Sequence, residues 1–321
     1  MIEARHLSKS YGKTEAVTDL SFRIGKGEVV GFLGPNGAGK TTTLNMLTGC
    51  LSPGAGEVLI DGIDLCLEPV RAKRKIGYLP ETPPLYADMT VREHLLFVAA
   101  ARGFRGAAAE KELIHAARLT GIAGVMKKLI RNLSKGYRQR VGIASAILGD
   151  PEIVILDEPT AGLDPGQIVE IRRLVRSLGK EHTVLFSSHI LSEVREVSDR
   201  VLILSHGRLA ADDSARALEE RAGEGKLALR VRGEKDKALA AAERVPGIRV
   251  LDAEEEETGA LRLTLAAGKD DGTKEAIFAS FAGDSLPILG MEDVRSGLEE
   301  VFLELTREES GGEEGKEGSE A

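Results

Sequence analysis

The chain has 321 residues and a formal net charge of −8, from 43 Lys and Arg against 51 Asp and Glu. That balance excludes the basic face on which non-specific nucleic-acid binding depends. Its two cysteines, Cys50 and Cys66, lack metal-ligand spacing and clustered His or Cys partners, which predicts a reduced, intracellular protein. The length suits one large and one small domain. Met1-Ile2-Glu3-Ala4-Arg5 does not read as a signal peptide, and no apolar run reaches the ~18 residues of a spanning helix. A role at a membrane would therefore need a partner to supply the anchor.

Ile2 to Leu7 and Val17 to Ile24 read as strands on either side of a turn-like Ser10-Tyr11-Gly12-Lys13. A tyrosine at a strand end is usually just half-buried, whereas beside a nucleotide site it can stack on a base. The apolar run Glu28 to Leu33 predicts a buried strand and leads into Gly34-Pro35-Asn36-Gly37-Ala38-Gly39-Lys40-Thr41-Thr42. This stretch satisfies G-x-x-x-x-G-K-[ST] in the required strand, turn, helix order. The glycines let consecutive amides and a helix N-terminus point at one anion. Lys40 would reach the β- and γ-phosphates, and the Thr41 hydroxyl would complete the shell of a Mg²⁺ ion. The bland alternative is a glycine turn that merely caps a helix.

A helix over Thr42 to Leu51 carries Leu44, Leu47 and Leu51 on one face and stops at Ser52-Pro53-Gly54. Gly56 to Ile60 reads as a strand, Arg71 to Lys75 as a short basic segment, and Ile76-Gly77-Tyr78-Leu79-Pro80-Glu81 as a strand stopped by proline. Helical periodicity from Thr90 to Leu133 predicts an inserted helical region of about 88–135 within an α/β core. Leu133-Ser134-Lys135-Gly136-Tyr137-Arg138-Gln139-Arg140 has the look of a solvated basic patch. Ser134 and Gly136, however, open an apolar helix, and a hydroxyl and a glycine amide at such an end make an anion site.

Ile153-Val154-Ile155-Leu156 is an uninterrupted apolar run of central-strand type, ending in Asp157-Glu158. Carboxylates avoid such burial unless paired or bound to a metal. Asp157 would hold Mg²⁺, and Glu158 would orient and deprotonate an attacking water. A loop containing Asp164 precedes a helix over Gln167 to Leu178. The strand Thr183-Val184-Leu185-Phe186 then ends in Ser187-Ser188-His189, at the edge where ligands of open α/β sheets gather.

A strand over Arg200 to Leu204, a turn at Ser205 to Arg208 and a helix near Ser214 to Arg221 close the large domain, and Gly223-Glu224-Gly225 reads as a linker. Strands at Leu227 to Val231, Ile248 to Val250, Leu261 to Leu265 and Leu286 to Leu289 alternate with helices Lys235 to Arg244 and Lys274 to Phe281. The order β-α-β-β-α-β predicts a small ferredoxin-like unit over 223–306. Leu298, Val301, Phe302 and Leu305 form a core-facing helical stripe, and the glycine- and glutamate-rich Arg307 to Ala321 reads as a disordered tail.

Together, residues 2 to about 220 resemble the nucleotide-binding subunit of an ABC transporter. Tyr11 resembles the adenine-stacking aromatic, GPNGAGKTT the Walker A loop, Ile76 to Glu81 the Q-loop and LSKGYRQR the signature. IVILDEP resembles Walker B, AGLD with Asp164 the D-loop, and His189 the switch histidine. The resemblance implies an α/β P-loop ATPase domain that binds ATP and Mg²⁺ and pairs head to tail with a second copy or a paralogue. Each γ-phosphate would lie between Walker A and His189 of one subunit and Ser134 with Gly136 of the other. It implies a cytoplasmic protein held at the membrane by separate permease subunits.

Two positions depart from the family. Glu81 stands where glutamine is usual; a carboxylate can still ligate Mg²⁺ but adds negative charge beside a triphosphate. LSKGY replaces the commoner LSGGQ, and Lys135 either attracts phosphate or lies in solvent. This signature, the GYLPE segment and LEEVFLELT at Leu298 to Thr306 most resemble exporters with ABC-2 type membrane subunits, including gliding-motility, multidrug and polysaccharide systems. A soluble, non-transport ABC ATPase is the alternative. Such proteins usually carry two ATPase domains or a long coiled coil, which this chain lacks.

Overall fold

In the computed structural model the described residues are 1–222, 225–256, 259–267, 270–294 and 297–307. Strands β1 (Ile2–Tyr11) and β2 (Thr14–Ile24) form an antiparallel hairpin around Gly12 and Lys13, bringing Tyr11 opposite Thr14. β3 (Val29–Leu33) is buried along its whole length, as its unbroken apolar sequence requires. Helix α1 (Lys40–Leu47) follows directly, starting at the lysine itself and ending before the expected Leu51. β4 (Ala55–Ile60) and β5 (Ile63–Asp64) complete a four-stranded sheet of order β2-β1-β4-β5.

Helix α2 (Pro69–Lys73) leads to β6 (Ile76–Leu79), which leaves Glu81 on the loop beyond the strand. The inserted region holds α3 (Val91–Ala101), α4 (Gly106–Leu119) and two 3-10 turns. Thr90 and Glu93 form a reciprocal capping box at the start of α3, satisfying amides that a helix end otherwise leaves unpaired. Then come α5 (Lys135–Ile147), β7 (Ile153–Leu156), α6 (Pro165–Leu178) and β8 (Thr183–Ser188). Two elements follow for which the sequence alone gave no expectation beyond a turn: helix α7 (Leu191–Val197), and the edge strand β10 (Arg208–Asp213), which pairs with β9 (Arg200–Ser205).

The larger sheet has the order β10-β9-β3-β8-β7-β6, and every neighbouring pair is parallel except β10 with β9. This puts the C-terminal ends of β3, β7 and β8 side by side. One core cluster joins the two sheets through α1, with Leu7 and Leu20 of the small sheet, Leu44 and Leu47 of α1, and Phe32, Ile155 and Leu185 of the large sheet. Each such fully buried side chain contributes roughly 1.5–3 kcal/mol. On the opposite face of β3, a Cβ on Gly31 would clash with Val194, so glycine is what allows α7 to pack onto that strand.

Contacts divide the chain into two units, residues 1–215 with 304–307, and residues 216–303. Helix α8 (Ala215–Ala222) spans the interval between this division and the one expected at residue 222. The second unit contains β11 (Lys226–Val231), α9 (Lys235–Glu243), β12 (Arg249–Glu255), β13 (Leu261–Ala266), α10 (Asp271–Gly283) and β14 (Ile288–Asp293). Its sheet, β12-β13-β11-β14, is antiparallel throughout, the ferredoxin-like arrangement. Ala238, Ala241, Ile277 and Phe281 of the helices cover Leu229, Val231, Leu263 and Leu265 of the sheet.

The last strand begins at Ile288 rather than Leu286. Ser285 adopts φ 57, Pro287 has no amide to give, and pairing with β11 starts at Ile288 opposite Val231. Helix α11 (Leu298–Arg307) buries Leu298 and Val301 of the expected stripe and leaves Phe302 and Leu305 only partly covered. The tail expected at 308–321 lies outside the described residues.

Candidate functional site

The loop between β3 and α1 has a shape that side chains would prevent. Gly37 and Gly39 adopt φ of 84 and 96, and a Cβ on Gly39 would run into the Ala16 carbonyl. A Cβ on Gly34 would lie 2.7 Å from the Leu204 carbonyl. The loop is thus pressed between β2 and β9 while its outer face stays open. Lys40, the first residue of α1, bends back over it: Nζ donates to the carbonyls of Gly34 at 2.7 Å and Pro35 at 3.2 Å. The first turn of α1 contains no acidic side chain of its own.

At the tip of β7, Asp157 is fully buried. Its Oδ1 accepts the Ser187 hydroxyl at 2.6 Å, while the buried Oδ2 has no hydrogen-bond partner. Burial pushes the Asp157 carboxyl up from its ordinary pKa, and the Ser187 hydrogen bond with the nearby Thr41 hydroxyl only partly offsets this. A buried carboxylate with one free oxygen, beside a threonine hydroxyl, is a donor set suited to a hard, oxygen-seeking cation. Among the described residues no group of three or more His, Cys, Asp or Glu forms a self-sufficient cage. Any cation here would draw its remaining ligands from water or from a bound anion.

Glu158 follows in the left-handed region at φ 46, an uncommon conformation for a non-glycine residue. Its amide donates to Ser187 Oγ at 2.8 Å, so one serine on β8 holds both acids. Its carboxylate is 2.8 Å from His189 Nδ1 through Oε2 and 3.6 Å from Lys40 Nζ through Oε1. The acid is therefore nearly buried between an ammonium and an imidazole. His189 is itself half-exposed, at 48% of its side chain.

These groups share one cavity of about 450 Å³. Tyr11, Glu81, Glu158 and His189 line it together with Pro35, Asn36, Gly37, Gly39, Lys40, Thr41 and Thr42. Gly34 and Ala38 lie buried behind the loop, and Asp157 lies beneath the cavity, close to Thr41. Tyr11 is 52% exposed, with its ring free for stacking.

Ser134, Gly136 and Asp164 are not among the lining residues. Ser134 caps α5 at the surface, accepting the Tyr137 amide at 3.4 Å, and Asp164 caps α6, accepting the Gln167 amide at 2.9 Å. The two caps are neighbours, because a Cβ on Gly136 would lie 2.6 Å from Gln167 Oε1. Lys135 reaches back over Gly162, where an added Cβ would clash with its Nζ.

Ser187 was visible in sequence only as part of a polar strand end, and its role comes from parallel pairing. β8 is in register with β7, and the serine falls one residue past the Leu156–Phe186 pair.

A glycine loop wrapped before a helix, a lysine folded over it and two acids at the adjacent strand tip define a P-loop nucleoside triphosphatase. Residues 17–161 match the ABC transporter family model, and residues 129–195 match a model described as AAA domain, putative AbiEii toxin, Type IV TA system. The chain is 43% identical over 211 residues to the bacitracin transport ATP-binding protein BcrA of Bacillus licheniformis, covering 65% of this chain and 68% of that one. It is 31% identical over 308 residues to the linearmycin resistance ATP-binding protein LnrL of Bacillus subtilis (strain 168), covering 95% and 98%.

Among solved structures it resembles the dimeric MJ0796, a bacterial ABC transporter cassette, with 27% identity and a TM-score of 0.61 over 67% of this chain and 98% of that one. The same cassette in a post-hydrolysis state bound to ADP and Pi matches with an equal TM-score of 0.61. The chain belongs to the ATP-binding subunits of ABC transporters, and it is an ATPase. Among the described residues, no helix is long and apolar enough to cross a membrane.

Proposed function

We propose that this chain powers export through separate ABC-2 type membrane subunits, by closing two copies head to tail around MgATP and reopening after hydrolysis. The observation that carries this reading is the division of the site. Walker A, Walker B and His189 surround one cavity, while the N-terminus of α5, capped by Ser134 and carrying Gly136, lies outside it. One chain holds both halves, so a second copy would bring each half to the other, and Asp164, which caps the neighbouring α6, would lie beside that junction.

In this reading the loop amides of Gly34 to Thr42 and Lys40 bind phosphate, and Tyr11 stacks on adenine. Thr41 and Asp157, with Glu81 at the rim, would hold Mg²⁺, which would supply positive charge against the phosphates. Glu158 acts as general base towards water, and His189 steadies the γ-phosphate. Glu81 opens the segment leading to Tyr86 and Phe97, half-exposed rings in an edge-to-face pair at 5.3 Å. That pair offers an apolar contact for a membrane subunit, so the metal end of the cavity and the permease would share one loop. Export fits the bacitracin transport and linearmycin resistance named for two relatives. Residues 223–306 would serve as an accessory α+β domain that regulates or supports the dimer.

The test is Glu158→Gln in the full-length chain. It should abolish turnover and, with MgATP, elute as a dimer; hydrolysis at the wild-type rate would overturn the site assignment. Isolating the chain from membranes with its partners retained should bring down an integral membrane subunit, and recovery without one would overturn the transport role.

A further inference from the structure

The first turn of α7 carries a carboxylate that the site described above does not use. Glu193 is 2% exposed, and its Oε2 accepts two hydroxyls, Thr160 Oγ1 at 2.7 Å and Ser188 Oγ at 2.9 Å. Thr160 lies two residues after Glu158, and Ser188 immediately precedes His189. A single oxygen therefore bridges the two segments that carry the 2.8 Å contact between Glu158 and His189. The bridge extends into the backbone on both sides. The Ile190 amide donates to Ser188 Oγ at 3.0 Å, and the Ala161 amide donates to the Glu158 carbonyl at 3.0 Å.

The remaining oxygen, Oε1, is buried without a hydrogen-bond partner, and the nearest cation, Arg172 Nη2, is 3.8 Å away. Arg172 makes its close contact with Glu196 instead, at 2.6 Å. Glu193 is thus poorly compensated as one member of an ion pair, yet fully engaged as a double acceptor. A burial so poorly matched to a salt bridge is understandable if the two hydroxyls are what the carboxylate is for.

We infer that Glu193 is a positioning residue for hydrolysis, which fixes the spacing between the Glu158 carboxylate and the His189 ring by holding Thr160 and Ser188 on one oxygen. It does not line the cavity and acts through the two loops. Glu158 already sits in a left-handed backbone conformation that the surroundings must enforce, and Thr160 is the nearest side chain downstream that is tied down on another element. Because the bridge joins the end of β7 to the end of β8, a shift of either segment would be passed to the other.

The inference rests on the roles proposed for Glu158 and His189. The test compares Glu193→Met and Glu193→Gln in the full-length ATPase, with MgATP as substrate. Methionine fills the volume but accepts neither hydroxyl, so kcat should fall on the order of tenfold to a hundredfold, the cost of slight misplacement of reacting groups. The KM for MgATP should stay within about threefold, because the Walker A loop is untouched. Glutamine keeps one oxygen for both hydroxyls and should restore kcat to within about threefold of wild type.

In a His189→Ala background, Glu193→Met should cost much less than it does alone, since the geometry it guards is already lost. A purely structural role would give additive losses. Unchanged kcat in Glu193→Met, or full additivity with His189→Ala, overturns the inference. If Glu193→Met does not fold, Thr160→Val carries the same test: reduced kcat at unchanged KM supports the inference and unchanged kcat overturns it. An inactive Glu158→Gln beside a fully active Glu193→Met removes this inference alone, whereas an active Glu158→Gln removes the site reading beneath it.

Discussion

Ser187 donates its hydroxyl to Asp157 Oδ1 at 2.6 Å across the seam between β8 and β7. Ser187 Oγ in turn accepts the Glu158 amide at 2.8 Å, so truncation would leave two buried polar groups without partners. Ser187→Ala should therefore lower stability by about 1–3 kcal/mol in denaturant unfolding. It should also raise the Mg²⁺ concentration needed for half-maximal ATPase activity, because Asp157 loses the hydroxyl that fixes its free oxygen. A mutant with wild-type unfolding and Mg²⁺ dependence would contradict this account of the pair.

Gly39 and Gly37 both hold positive φ, yet they differ in surroundings. A Cβ on Gly39 meets the Ala16 carbonyl, while a Cβ on Gly37 meets nothing within 4 Å. Gly39→Ala should cost more than the ~1–2 kcal/mol of left-handed strain alone, because β2 must also move. Gly37→Ala should cost no more than that strain. Thermal melting of the two variants checks the order, and equal losses would show that the loop is not pressed against β2.

His94 on α3 is buried at 2% exposure, with Nε2 3.2 Å from Ser145 Oγ and Nδ1 unpartnered. Burial lowers its pKa from the ordinary value near 6.5. Between the lowered pKa and 6.5 the unfolded chain binds a proton that the folded chain does not, so stability falls as pH drops below about 6.5. Comparing His94→Gln with wild type at pH 7.5 and pH 5.5, the wild type should lose more melting temperature over that interval. Parallel losses would place the acid sensitivity elsewhere.

Glu81 lines the cavity from an exposed position. Glu81→Gln removes one negative charge from the wall facing a triphosphate. At high effective dielectric this is a modest term, so the KM for MgATP should fall by no more than about fivefold, and the difference should shrink in high salt. A higher KM in the mutant would mean that the carboxylate's contact with Mg²⁺ outweighs its repulsion of phosphate.

Local chemistry explains which features could be read without the fold. The loop from Gly34 to Thr42 is legible because glycine spacing, the preceding apolar run and the lysine all act within a few residues of one another. The paired acids at Asp157 and Glu158 are legible because an apolar strand ending in two carboxylates is costly without a ligand. α7 was not: seven residues give too little periodicity, and Glu193 within Glu193-Val194-Arg195-Glu196 resembles an ordinary solvated helix face. β10 escaped notice because Arg208–Asp213 holds few strong strand formers and becomes a strand only by pairing with β9. The last strand was displaced by two residues because turn geometry at Ser285 and Pro287, rather than hydrophobicity, sets where pairing begins.

The sequence alone determined the family, the phosphate loop and the identity of the acids, since each is encoded by residues that are neighbours along the chain. Only the tertiary structure decided how those acids are held. Parallel pairing of β3, β7 and β8 brings together strand ends that are distant along the chain, placing Ser187, 30 residues from Asp157, between Asp157 and Glu158, and Glu193 under both loops. The physical reason is that a buried hydroxyl or carboxylate takes its partners from whatever the sheet sets beside it, and sheet order is a property of long-range packing that no short window of residues contains.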